Sequence, residues 1–488
     1  MKENASNKSS LPVLISVFFF WGFVAASNTI LIPIFKKHFT LLQWQSQMVD
    51  FAFYAAYFIG SLIYFIISYT SGDPLGKIGY KKGLIIGLII SAIGAFGFVP
   101  AAGAQSFPLM LTSLFIVGLG FALQQIVANP YVIALGTPQT GSHRVSLAGG
   151  INSFGTTIGP LLLSFAIFGS LTVAGDMQVG LEAVKMPYMI LSISFLLFAL
   201  LLGLSKLPPI IHHEHVERSM GAFKYPQLIF GMLAIFVYVG VEVTIQSNLP
   251  ELMKQTNMLG MDNTKSVHFI SLYWGSLMIG RWTGALTVFN LSKTRKKILT
   301  LIVPLMAYAV ILIVNYFKIN GMNRNPFAVF AANEVEEMND LYGYFPFVLI
   351  LILGFFMAQE KPARTMILFS SLAAIMMVIG LLTEGKLAVY SFISGGLFCS
   401  VMWPCIFSLS IAGLGKYTNQ GSSMLIMMIL GGAIIPPLQG YISDLANIHV
   451  SYIIPIICFA YLAFYGWKSK QVLKVQGIDY DESVNPNH

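Results

Sequence analysis

Charge is scarce in this chain. Only 10% of its 488 residues are Asp, Glu, Lys or Arg, against roughly 25% in a soluble domain. A chain so poor in charge cannot cover a water-facing surface, which excludes an ordinary soluble protein. Cysteine is scarce too. Cys399, Cys405 and Cys458 lie in apolar runs and neither pair by spacing nor alternate with histidine. A disulfide framework and a zinc site are therefore not expected, and the three read as small buried hydrophobes. Histidine is missing from the deep apolar stretches: His38, His143, His212, His213, His215, His268, His449 and His488 fall in loops, at helix ends or at the terminus. That argues against Ser–His or metal chemistry in a buried site, and no enzyme activity, cofactor or metal is expected. The Gly72–Lys82 loop lacks a preceding strand and a Gly-Lys-Ser/Thr ending, so it is not a phosphate-binding loop.

What the chain does have is apolar length. Hydrophobic residues make up 56% of it, with 38 Phe, 44 Gly and 23 Met. Gly and aromatics are enriched in membrane bundles and their interfaces. A spanning helix needs about 20 mostly apolar residues. Six spans are expected in the first half, near 11–35, 49–69, 83–102, 108–134, 145–169 and 187–206. Eight follow, near 227–249, 267–290, 298–316, 345–358, 366–383, 387–411, 422–442 and 449–467. The first run, from Leu11, is too long for a cleavable signal and has no small-residue cleavage site after it. The fold expected is an all-α integral membrane protein of about 14 spans.

The expected organisation is a tail over 1–10, a first bundle over 11–207, a linker over 208–226, a second bundle over 227–468 and a tail over 469–488. The linker carries His212, His213, Glu214 and His215 and reads as a solvated loop. Lys318–Tyr344 is polar and acidic and reads as an external loop, partly helical. With the N-terminus inside, 19 Lys and Arg fall on the inner side and 8 on the outer. This bias places both termini in the cytoplasm. The +8 net charge is thereby accounted for by lipid orientation, and nucleic acid is not an expected partner. A faint repeat links the halves. Pro130–Ser142 ends one helix as Pro404–Ser422 ends another, and Ile158–Leu162 is echoed by Ile434–Leu438. Parallel repeats about an axis along the membrane normal are a transporter architecture, with solute held near mid-membrane.

Intramembrane charge is expensive and defaults to a functional reading. Three residues qualify: Asp50, Glu242 and Arg281. Gln246 lies four residues past Glu242, so both project from one helical face, and Tyr238 and Asn248 are expected to extend that stripe. Asp50 opens the second span, as a helix-start acid, a cation site or an outer gate. Arg281, among small residues, is expected to snorkel, pair with carbonyls or serve an inner gate. Amides form a second group: Gln124, Gln125, Asn129 and Asn152, with Asn28 and Thr29 in the first span. Such a set is either interhelical glue or the lining of a polar cavity. Amides and carboxylates suit sugar hydroxyls, and Tyr273, Trp274 and Trp403 are candidate platforms for the apolar ring face.

The loop Gly72–Lys82, with Gly72 and Lys77, resembles the Gly/Asp/basic loop of the major facilitator superfamily, with Gly76 where Asp is expected and Asp73 nearby. Further stretches resemble the fucose permease branch of that family: Phe19–Phe23 with Ile30–Pro33, Ala52–Phe58, Ala128–Val132, Asn152–Gly155, Tyr238–Gly240, Gly280–Gly284, Ile406–Leu409 and Gly431–Pro436. The resemblance implies two six-helix bundles related by a pseudo-twofold repeat. It does not cover residues near 298–365, where an added helix pair is expected. It also implies alternating-access transport of a hexose of the glucose, galactose or fucose class. In the proton-coupled relatives two carboxylates handle the proton; their positions here are Thr29 and Gln125, neither of which exchanges protons near neutral pH. The helix 5 asparagine is kept as Asn152, and a glutamine there becomes Gly149. Gln125 with Glu242 resembles the sodium-dependent members. Sodium is thus the coupling ion expected, with Glu242, Asp50 and Thr29 as its candidates. Gln125, Asn129, Asn152, Glu242, Gln246, Trp274 and Trp403 are the candidates for sugar, and Arg281, Gly72 and Lys77 for gating. An uncoupled facilitator, a proton symporter and a non-transporting sensor are the alternatives. A monomer in a bacterial inner membrane is expected.

Overall fold

The computed structural model describes residues 11–41, 45, 48–137, 140–168, 180–208, 220–261, 267–289, 291–320 and 336–478. The His212–His215 tract and the middle of the acidic loop lie outside the described residues. Within them the chain is helical, as a bilayer demands: with no water to bond the backbone, each span must satisfy its own N–H and C=O groups. The first six spans are α1 (Leu11–His38), α2 (Met48–Ser71), α3 (Tyr80–Gly103), α4 (Phe107–Ala134), α5 (Gly141–Phe168) and α6 (Glu182–Leu204). Next come α7 (Pro226–Lys254), α8 (Val267–Gly284), α9 (Lys293–Asn320) and α10 (Met338–Ala358). The last are α11 (Pro362–Leu382), α12 (Gly385–Ile411), α13 (Gly415–Leu445) and α14 (Ile448–Val475).

The starts of several helices are legible locally. Ser106 caps α4 by accepting from the Leu109 amide, with Pro108 in the first turn. Pro226 and Pro362 open α7 and α11, where a missing N–H costs nothing. Lipid contact is legible as well. On α6 the residues Met186, Ile190, Ile193, Leu197, Leu200 and Leu204 recur at helical spacing and are 51–75% exposed. An apolar stripe that open belongs against acyl chains.

The repeat is explicit in the packing. In the first bundle α3 packs on α4 and α6, α1 on α5, and α2 on α4. The second repeats this with α11 on α12 and α14, α7 on α13, and α8 on α12. Thus α7, α8, α11, α12, α13 and α14 correspond to α1 to α6, and α9 and α10 are the added pair. That pair packs laterally on α8, α11 and α12. Asp340 pins it: its carboxylate lies 2.7 Å from Lys386 Nζ and 3.5 Å from His268 Nε2, and its backbone carbonyl accepts from Tyr390 at 2.6 Å.

Some element limits differ from expectation. The α8 helix tightens into a 3-10 turn over Ala285–Val288. The short 345–358 span is lengthened by a preceding turn, Glu336–Tyr342. The α12 span is interrupted at Ser400–Val401, between Gly385–Cys399 and Met402–Ile411. The Gly72–Lys82 loop contains a helical turn, Pro74–Ile78, capped by Asp73.

The bundles meet through α2 and α4 against α13, and α5 against α8 and α12, pairings that the repeat itself exchanges. Span alternation puts both chain ends on one membrane face. The cross-bundle hydrogen bonds run from mid-membrane to that face. Asn419 Nδ2 donates to Asp73 at 2.5 Å and Tyr80 donates to Asn419 at 2.7 Å. Ser422 donates to the Ile126 carbonyl at 2.8 Å, and Trp282 Nε1 to the Gly150 carbonyl at 3.2 Å. The terminus-bearing face is closed.

Candidate functional site

A charged cluster lies on the seam between the bundles. Tyr238, one turn before Glu242 on α7, donates to Glu242 Oε1 at 2.9 Å. Arg281 Nη2 of α8 lies 3.2 Å from the same oxygen. Both ionic side chains are nearly buried, 11% and 13% exposed. Removing two charges from water is costly, and such a pair persists only where further hydrogen bonds support it. Here the Tyr238 hydroxyl supports the carboxylate. The guanidinium donates across the seam to Ser153 Oγ of α5 at 2.7 Å and, at 3.4 Å, to the Ser400 carbonyl where α12 is interrupted. Arg281 therefore joins three helices and a carboxylate. It neither snorkels nor settles for carbonyls alone.

Small residues make this approach possible. A Cβ on Gly149 would sit 3.3 Å from Arg281 Cδ, and one on Gly150 would sit 2.8 Å from the Trp282 ring. A glutamine at 149 would occupy the space that Arg281 fills. Behind them, Gly22 of α1 lets the Asn152 backbone approach so closely that any side chain would collide, at 2.0 Å. Asn152 Nδ2 donates to the Phe18 carbonyl at 3.1 Å, which fixes α5 against α1.

The first bundle contributes neutral polar groups. Gln125 Nε2 of α4 donates to the Tyr57 hydroxyl of α2 at 3.2 Å, and both side chains are largely buried. Tyr54, one turn earlier on α2, lies within electrostatic reach of both Asp50 and Glu242. Asp50 sits in the first turn of α2, where the helix dipole favours an acid. Asn129, one turn past Gln125, is buried; its Nδ2 donates to the Gln125 carbonyl at 3.0 Å, and among the described residues its Oδ1 has no partner. On the second bundle an aromatic wall flanks Glu242, with the Trp403 ring centred 6.1 Å from Tyr238 and 6.2 Å from Phe407.

The other sequence candidates differ in their placement. Gln246 is half-buried one turn beyond Glu242. Trp274 is half-buried and packs edge-on to Tyr273 at 5.8 Å. Tyr273 itself bonds the Glu242 carbonyl at 2.6 Å, so it braces α7 and is no open platform. Asn248 does not extend the Glu242 stripe. Six residues on, it has turned to another face and donates to the Thr244 carbonyl at 2.9 Å, beside the Thr244–Gln439 bond of 2.8 Å. Gln124 is fully buried, between Trp21 Nε1 and Ser91 Oγ, each at 3.0 Å; it is glue within the first bundle. The Thr29 side chain lies outside the described residues. Gly72 adopts φ +81°, and Lys77 Nζ donates to the Ser71 carbonyl at 3.3 Å on the exposed loop. The working acid of that loop is Asp73, which accepts from Tyr64, from the Leu75 amide and from Asn419. Gly76 leaves it room, since a Cβ there would meet Asp73 at 3.0 Å. Cys399, Cys405 and Cys458 are buried and free.

Ser153, Ser400, Tyr54 and Tyr57 were not among the sequence candidates. Tyr238 and Glu242 were legible as a helical pair. Ser153 signalled only by following Asn152, and Ser400 carried no signal.

Comparison with known proteins agrees with this architecture. The family model described as Major Facilitator Superfamily matches residues 13–335. A glucose/galactose transporter of Brucella abortus is 33% identical over 470 residues, covering 95% of each chain. An L-fucose-proton symporter of Escherichia coli is 27% identical, covering 92% of this chain and 90% of its own. The crystal structure of the transporter FucP in the outward conformation superposes with a TM-score of 0.70 at 26% identity, covering 95% of this chain and 99% of that one.

Proposed function

Since the chain belongs to the major facilitator superfamily, we propose that it moves a hexose across the bacterial inner membrane by alternating access. The observation that carries the proposal is the seam at mid-membrane. A supported Glu242–Arg281 pair and an indole wall at Trp403 lie there, with a Gln125–Tyr57 pair between α2 and α4 of the first bundle, above a closed face. Hydroxyls of a sugar are bound by such carboxylates, guanidinium groups and amides, while an indole covers the apolar ring face. The names of the relatives, a glucose/galactose transporter and a fucose–proton symporter, support the hexose class. Gln125, Glu242, Gln246 and Trp403 are the proposed contacts, with Asn152 and Asn129 holding the helices that present them.

The excess of Lys and Arg on the terminus-bearing side assigns that side to the cytoplasm. The closed face is then the inner one. The protein works as a monomer, because each bundle supplies half of the site.

Sodium is the proposed coupling ion. Gln125 cannot carry a proton, and the Glu242 carboxylate offers oxygens for a cation. Proton coupling is a second reading, favoured by the name of the Escherichia coli relative. Labelled hexose uptake into proteoliposomes, under a sodium gradient and separately under a pH gradient, tests both levels. Faster uptake with inward sodium supports the proposal. A response to pH alone moves coupling to the proton, and no uptake of any hexose ends the substrate claim.

A further inference from the structure

The added pair walls a cavity away from the seam centre. On the terminus-bearing face, the end of α10 and the start of α9 lean against the start of α5 and the end of α8. They enclose a space of about 260 Å3. Its inner wall holds Ser142, Thr283, Val401 and Cys405, and its bilayer side holds Phe355 and Phe356. Its rim is basic, with Lys293, Lys296 and Lys297 from the first turns of α9.

Three features of this cavity are unlike ordinary packing. Ser142 is 2% exposed, lines the space, and among the described residues its hydroxyl has no hydrogen-bond partner. An unmade bond on a buried hydroxyl costs about 1–3 kcal/mol, a cost that turning the hydroxyl toward an acceptor in the cavity removes. Lys293 and Lys297 are exposed and, among the described residues, pair with no carboxylate, whereas Lys296 lies 2.6 Å from Glu360. The rim thus keeps two uncompensated positive charges after its one acid is neutralised. Finally, Gln359 and Glu360 are consecutive non-glycine residues at φ +54° and +64°. Left-handed backbone at such residues is uncommon and clusters at functional sites. Here it is held by Arg364, which donates to Gln359 Oε1 at 2.8 Å, and by His143, whose Nε2 lies 3.1 Å from the Glu360 carbonyl.

We propose that this cavity binds a phosphoryl anion, with the Lys293 and Lys297 ammonium groups and the Ser142 hydroxyl as donors to its oxygens. A phosphoryl group has several oxygens to share among these donors and a charge to match two free lysines. The apolar bilayer side suits the rest of an ester. The group comes from an anionic lipid headgroup or from a soluble phosphate, and the chemistry at the site is the same for both. The site is independent of the hexose reading, since it needs neither sugar nor transport.

The test is thermal unfolding of the full-length protein in neutral-detergent micelles at matched ionic strength. Inorganic phosphate is compared with chloride, and added phosphatidylglycerol with phosphatidylcholine. A ligand bound only by the folded state raises the midpoint. The expected result is a rise with one probe or both. Inorganic phosphate alone sufficing identifies a soluble anion, and a rise only with phosphatidylglycerol identifies a headgroup. The Lys293→Gln/Lys297→Gln variant, changed only at exposed positions, loses the rise. Ser142→Ala shifts the midpoint curve to about tenfold higher ligand. Lys474→Gln, an exposed lysine on the same face, keeps the wild-type response. No rise with either probe, or an undiminished rise in the double-lysine variant, overturns the proposal.

Discussion

The two bundles are repeats of one packing scheme, yet they bring different chemistry to the seam. The first offers neutral groups: Gln125 with Tyr57, and Ser153. The second offers charge and indole: Glu242, Arg281 and Trp403. Pseudo-symmetry governs which helices touch, because helix contact depends on small residues and shape. It does not govern side-chain chemistry, which is free to diverge. The lesson is a division of labour. Under the proposed function, the neutral wall orients the solute, and the charged wall responds to the cation and to the change of state. The Arg281–Ser153 bond spans the two and is positioned to break or re-form as the seam opens.

The comparison can be broken most severely at Arg281. Arg281→Met leaves Glu242 buried and unpaired, which costs about 3–5 kcal/mol. Hexose uptake is expected to fall by about a hundredfold or more, with a lowered unfolding midpoint. Pairing it with Glu242→Gln should restore the midpoint but not the uptake; restored uptake would make the pair a packing device only. At Gln125 the expected effect is smaller. Gln125→Ala removes one recognition bond and should raise the apparent KM about tenfold, without altering the sodium dependence. A changed sodium dependence would move cation handling into the first bundle. Thr29→Asp adds an acid to the neutral wall. It should raise gradient-driven accumulation by about a few-fold while leaving exchange intact, and no change would remove position 29 from coupling. Tyr57→Phe, which removes only a partner of Gln125, should change uptake by about two- to threefold.

Much of the fold was legible in the sequence, for a physical reason. Bilayer thickness sets span length, so apolar runs such as 187–206 announce themselves, and even the short 345–358 run is a true span. The repeat was legible through Pro130 and Pro404, which stand at matched places in α4 and α12. The site was legible only in part. Glu242 stood out because charge in lipid is expensive, and Tyr238 was in register four residues away. Its pairing with Arg281, 39 residues on in the sequence, depends on how α7 and α8 rotate against each other, and periodicity carries no such information. Asn248 shows the limit within one helix. Six residues at 100° each turn it well off the Glu242 face. Gln124 and Gln125 are neighbours in sequence, yet one is interior glue and the other faces the seam, a distinction that needed the packing.

The most direct test of the account is initial-rate hexose uptake in proteoliposomes, wild type beside Glu242→Gln, each with and without an inward sodium gradient. The account predicts that sodium accelerates the wild type and has no effect on the variant. Equal sodium stimulation of both would contradict the assignment of cation response to the charged wall.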